Sequence, residues 1–130
     1  MSKTDEVKQY YEQAGMYNGY AARAKNPEEK SKYEVAAHEA WTKGEQKRAE
    51  LEKGIENEAQ KEIAKYNEKA YEAAARGDRK TDNECMRKVA EIDDKQRNDI
   101  SKLRSECNRT WEESTKKAMG NQQTLERGRH

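Results

Sequence analysis

The side chains of this 130-residue chain that could do chemistry are few, and each has a plainer reading. His38 stands four residues after Glu34 and beside Glu39. A carboxylate-bridged metal bundle needs Glu-x-x-His on facing helices, supplied twice. Here the spacing differs and the other histidine is the terminal His130, so His38 reads as a half-exposed helix residue. No metal, haem or other cofactor is expected. Cys85 and Cys107 lie 22 residues apart, about 33 Å along one helix, too far to bond within it. They read as two small buried hydrophobes, with an intermolecular bridge in an antiparallel dimer as the alternative. No Cys-x-x-Cys pair accompanies them.

Arg76-Gly77-Asp78 is the tripeptide that integrins recognise in exposed loops, but it coincides with a glycine where a helix should stop. Asn108-Arg109-Thr110 has the form of a glycosylation acceptor, yet it falls inside a helical pattern. There is no phosphate-binding glycine loop, nucleophile elbow or histidine-based constellation. The chain therefore reads as non-enzymatic.

Aromatic and basic residues offer binding instead. Tyr10, Tyr11, Tyr17, Tyr20 and Tyr33 crowd the first quarter of the chain, and Trp41 and Trp111 are the two tryptophans. Tyrosine and tryptophan suit protein interfaces because they bury area and keep a polar tip. The same rings could simply fill space between helices short of leucine. A nucleic-acid surface would use Arg79, Lys80, Arg87 and Lys88 with Arg127 and Arg129 of the C-terminal end. Overall charge argues against it, because 27 basic residues nearly cancel 26 acidic ones.

These residues need elements to hold them, and helices are the only ones the pattern supports. The organising stretch is 26–77, with Asn26 as N-cap, Pro27 at the first helical position and Gly77 as the stop. One apolar face runs through Tyr33, Ala37, Ala40, Trp41, Gly44, Leu51, Ile55, Ala59, Ile63, Tyr66, Ala70 and Ala74. Its mean spacing of about 3.7 residues predicts nearly straight packing. The segment between Trp41 and Ala49 has no apolar side chain, so Gly44 is where a break could fall; continuity is favoured.

A first helix, about 4–25, begins at Thr4 and carries Val7, Tyr10, Ala14, Tyr17, Ala21 and Ala24, widened by Tyr11 and Tyr20. Gly15 and Gly19 within it either cost stability or permit close helix approach. A third, about 82–119, opens at Thr81 with Glu84 as a capping box and ends at Gly120. Met86, Val89, Ile92, Ile100, Leu103, Cys107, Trp111 and Ala118 mark its buried face. Residues 121–130 read as a loose polar tail.

Folding the helices back about their turns puts Tyr20 by Tyr33, Tyr11 by Trp41, and Trp111 near Arg48. The hairpins then overlap only around Trp41 to Arg48, where Trp41, Trp111, Tyr11 and Val7 make one three-helix core. The expected fold is all-α, antiparallel hairpins on one long central helix, a single domain over 1–120 with coiled-coil character. It becomes a four-helix bundle if the chain breaks near Gly44.

Large aliphatic residues are scarce and phenylalanine is absent. So small a core makes an isolated monomer marginal. A protein partner, a homodimer or both are expected, the chain acting as assembly subunit, adaptor or inhibitor. With no apolar run for a signal or a span, the expected place is the cytoplasm, away from membranes.

Overall fold

The computed structural model describes the backbone of residues 2–128 and the side chains of residues 2–120. Among the described residues it holds three helices and no strand: α1 (Lys3–Ala22), α2 (Pro27–Ala75) and α3 (Arg79–Gly128). α2 runs unbroken through Gly44, which excludes the four-helix alternative. The chain divides into two compact units. The first comprises residues 1–50 and 103–130, and the second residues 51–102.

The helix ends follow from local chemistry. Asn26 Oδ1 accepts from the Glu29 amide at 2.8 Å, and Pro27 opens α2, as the Asn-Pro pair predicts. Glu29 also reaches back to accept from the Lys25 amide at 3.3 Å. α1 is capped by Ser2, not Thr4, since the Ser2 hydroxyl accepts from the Asp5 amide at 3.1 Å. It stops at Ala22, earlier than the apolar stripe suggests.

At the other turn Gly77 takes φ 76°. The Asp78 amide donates to the Ala73 carbonyl at 2.9 Å and the Gly77 amide to the Ala74 carbonyl at 3.0 Å. This is the Schellman pairing that a left-handed glycine permits. Asp78 then caps α3, its Oδ1 accepting from the Thr81 amide at 3.1 Å. The capping residue is therefore Asp78 and not Thr81, and Arg76-Gly77-Asp78 has a structural role, closing one helix and opening the next.

That hydrogen bonding holds the Asp78 carboxyl below its ordinary value of 3.8, chiefly through Thr81. A carboxylate depressed on folding contributes stability that is present above its unfolded pKa and lost as pH falls through the folded one. The turn should thus loosen only in strong acid. Carboxyl-detected NMR titration should place the Asp78 midpoint below 3.8, and Asp78→Asn should remove that acid-linked loss. A midpoint at or above the ordinary value would refute the cap.

In the first unit α1, the front of α2 and the back of α3 share one core of Val7, Tyr11, Ala14, Ala21, Ala40, Leu103, Cys107 and Ala118. The three-helix region is longer than the fold-back arithmetic predicts. α3 runs parallel to α1 from the Lys8–Glu106 ion pair at 3.1 Å to the contact of Gly19 with Ala118. Gly15 and Gly19 are the reason: without side chains they let the α3 backbone approach, and Ser114 donates to the Glu12 carbonyl at 2.6 Å.

The second unit is an antiparallel pair formed by the back of α2 and the front of α3. Its buried apolar residues are Ala59, Ala70, Ala73 and Cys85, while Leu51, Ile55, Ile63, Tyr66, Val89, Ile92 and Ile100 are half-buried. Two positions differ from expectation. Ala73 is buried where Ala74 is expected, and Met86, expected on the buried face, is 48% exposed beside Cys85, which is buried as expected. In both cases two adjacent apolar residues lie about 100° apart around the helix, so one faces inward and the other does not. Gly120 does not stop α3, which continues to Gly128. The side chains of 121–130, where a loose tail is expected, lie outside the described residues.

Candidate functional site

Two aromatic groups form in the first unit, and they differ in what they leave over. The inner group holds the three helices together. Tyr11 meets Trp41 edge-on at 5.0 Å between centroids, and Trp41 meets Trp111 edge-on at 5.6 Å. Tyr11 is 1% exposed, in the three-helix core where fold-back about Asn26 puts it and not at a free surface. Trp41 and Trp111 stay half-buried.

The Tyr11 hydroxyl donates to Glu45 Oε1 at 2.7 Å, and Arg48 Nη2 donates to both Glu45 oxygens at 3.1 Å. Burial and the Glu45 bond raise the phenol's pKa well above its usual 10.0, so Tyr11 stays protonated and donating. Glu45 and Arg48 are missed by sequence reasoning, although their i, i+3 spacing on α2 is visible there. Their role depends on Tyr11 arriving from another helix.

The outer group sits at the α1–α2 turn. Tyr17 and Tyr33 stack at 6.4 Å between centroids, 24° between planes. Tyr20 stands edge-on to Tyr33 at 5.5 Å and to Tyr17 at 6.3 Å. The Arg23 guanidinium lies over the Tyr20 ring, 4.8 Å from its centroid. All four residues are half-buried. The Tyr20–Tyr33 meeting is the one that fold-back about Asn26 predicts. Tyr10 is also half-buried, but it lies farther down α1, its Cβ close to the α2 backbone at Gly44.

The basic candidates lie in the second unit. Arg79 and Lys80 occupy the exposed first turn of α3, and Arg87 and Lys88 are exposed two turns on. Lys88 pairs with Glu91 at 3.4 Å, and Asp82, Glu84 and Glu91 alternate with the cations. This is mixed charge and not a basic face. Arg127 and Arg129 lie outside the described side chains. A shallow groove of about 390 Å³ between the helices is lined by Tyr66, Ile92 and a rim of lysines and glutamates.

Cys85 and Cys107 are buried and form no disulfide among the described residues. His38 is exposed on α2. Among the described residues no three histidines, cysteines or carboxylates converge as metal ligands. Thr110 of the Asn108-Arg109-Thr110 triplet donates its hydroxyl to the Glu106 carbonyl at 2.8 Å, inside α3. No described helix is long and apolar enough to cross a membrane. Compared with known proteins, the chain matches no family model, no curated protein and no solved structure.

Proposed function

We propose that this chain is a non-enzymatic helical module that works by binding another macromolecule, as an assembly subunit, adaptor or small inhibitor. Its contact surface is the cluster of Tyr17, Tyr20 and Tyr33 at the α1–α2 turn. One observation carries the reading: large rings are left half-exposed in a chain whose buried core is mostly alanine. Aromatic residues held rigidly against one another at a surface lose little entropy on binding and bury much area. The second unit supports the same reading, because a helix pair whose buried apolar residues are all small stands to gain from a partner or a second copy. The module works in the cytoplasm, in keeping with two buried cysteines that are not joined in a disulfide.

The test is photocrosslinking from inside the producing cell. A benzoyl-phenylalanine at position 20 should give one adduct of discrete mass, either with another protein or at twice the chain's mass. The same probe at exposed Lys47 should not. Equal, diffuse labelling from both positions counts against the surface.

A further inference from the structure

The α1–α2 turn has a chemical bias that says what kind of partner it fits. Between Tyr17 and Tyr33 the chain carries Arg23, Lys25, Lys30 and Lys32 against only Glu28 and Glu29, an excess of two positive charges in a nearly neutral protein. Glu29 is already engaged with the Lys25 amide. Arg23, lying over Tyr20, has no carboxylate within ion-pair distance among the described residues. The hydroxyls of Tyr17, Tyr20 and Tyr33 likewise make no hydrogen bond to a described residue. The rings meet one another by edge and face, while one guanidinium fork and three phenols make no bond to a described residue.

We infer that this cluster receives a carboxylate-bearing segment of a protein partner, with Arg23 as its anchor. A guanidinium resting over a ring keeps its planar fork, which can donate two parallel hydrogen bonds to one carboxylate. Neighbouring phenols can donate to the same anion, and Lys25 and Lys30 add attraction at longer range. Nucleic acid fits less well. Base stacking needs free ring faces along a basic channel. Here the Tyr17 and Tyr33 rings stack on each other and Arg23 covers Tyr20.

The inference rests on the proposed contact surface, and the test separates the two. Random twelve-residue peptides displayed on phage are selected on the full-length chain, and a recovered peptide is titrated by fluorescence anisotropy. Peptides rich in Asp and Glu are expected, with Arg23→Gln weakening the titrated one roughly tenfold or more. Arg23→Lys, which keeps the charge and loses the fork, should fall between. Arg23 sits at the C-cap of α1 with its side chain half-exposed, so both variants should keep wild-type helicity by circular dichroism. Recovered peptides without acidic residues, or affinity unchanged in Arg23→Gln, overturn the acidic partner and leave the contact surface standing. Recovery of no peptide overturns both. Binding of a twenty-nucleotide oligothymidylate that Arg23→Gln abolishes replaces the acidic protein with nucleic acid.

Discussion

Gly15→Ala and Gly19→Ala should each destabilise the protein, although alanine is the better helix former by about 1 kcal/mol. A methyl at position 19 would fall on the Ala118 methyl and 3.0 Å from the Thr115 carbonyl oxygen. One at position 15 would strike the Trp111 carbonyl and come within 2.8 Å of Ser114 Cβ. These are backbone atoms and first side-chain carbons of α3, which cannot swing aside as the end of a long side chain can. Forcing helices apart in a packed core typically costs about 1–3 kcal/mol, and here it also strains the Ser114 bond to Glu12. The net loss per site should be up to about 2 kcal/mol after the helix-propensity gain. Gly54→Ala is the internal control. Nothing lies within 4 Å of its added methyl, so it should stabilise by up to about 1 kcal/mol. Chemical denaturation of the three variants checks this, and a gain at Gly15 or Gly19 to match Gly54 would rule out the close α1–α3 approach.

Tyr11→Ala should have the largest effect of any single truncation in the first unit. Tyr11 is the largest of the fully buried side chains, and its ring contacts Trp41. Emptying a site of that size costs about 3–5 kcal/mol, a large part of the stability of a small domain. Tyr11→Phe isolates the hydroxyl. It keeps the ring and should cost about 1 kcal/mol, the lower part of the range, because the Glu45 side chain is 41% exposed and can turn to water. The alkaline limb distinguishes the two contributions. A phenol whose pKa is raised on folding contributes stability that is full below its unfolded pKa of 10.0 and is lost as pH climbs above it. Wild type should therefore weaken above pH 10, and Tyr11→Phe should lack that part of the decline. Matching alkaline profiles would mean that the Tyr11 phenol is neither buried nor bonded to Glu45 in solution.

Much of the fold was legible because helix signals are local. Asn26-Pro27 and Gly77 mark the ends of α2 by backbone chemistry that needs no neighbour. Folding back about those marks places Tyr11 beside Trp41 and Tyr20 beside Tyr33, because antiparallel helices joined by short turns share one register. Caps were less certain: Ser2, Thr4, Asp78 and Thr81 can all accept from an amide three residues on, and composition does not rank them. The inward position at Ala73 over Ala74, and at Cys85 over Met86, turns on a rotation of less than a third of a helical turn.

The candidate site was legible in part: fold-back sets Tyr11 with Trp41 and Trp111 in the core and Tyr20 beside Tyr33, but does not join Tyr17 and Arg23 to the outer group. Which rings were consumed by the core depended on α3, whose approach to α1 spans some hundred residues of sequence and leaves no periodic trace. Gly15 and Gly19 read equally as a cost to α1 or as room for a neighbour until Trp111, Ser114 and Ala118 arrive against them. Arg23 is one more cation until its stacking on Tyr20 shows it held in place.

By itself, then, the order of residues determined three helices, their turns and the poverty of the core. Those follow from capping, glycine conformation and the 3.6-residue period, each acting within a few residues. Tertiary structure decided that Tyr11 is sealed in and that Tyr17, Tyr20, Tyr33 and Arg23 are left at a surface. Burial is set by which helix comes to lie against which face, and that outcome belongs to three segments at once.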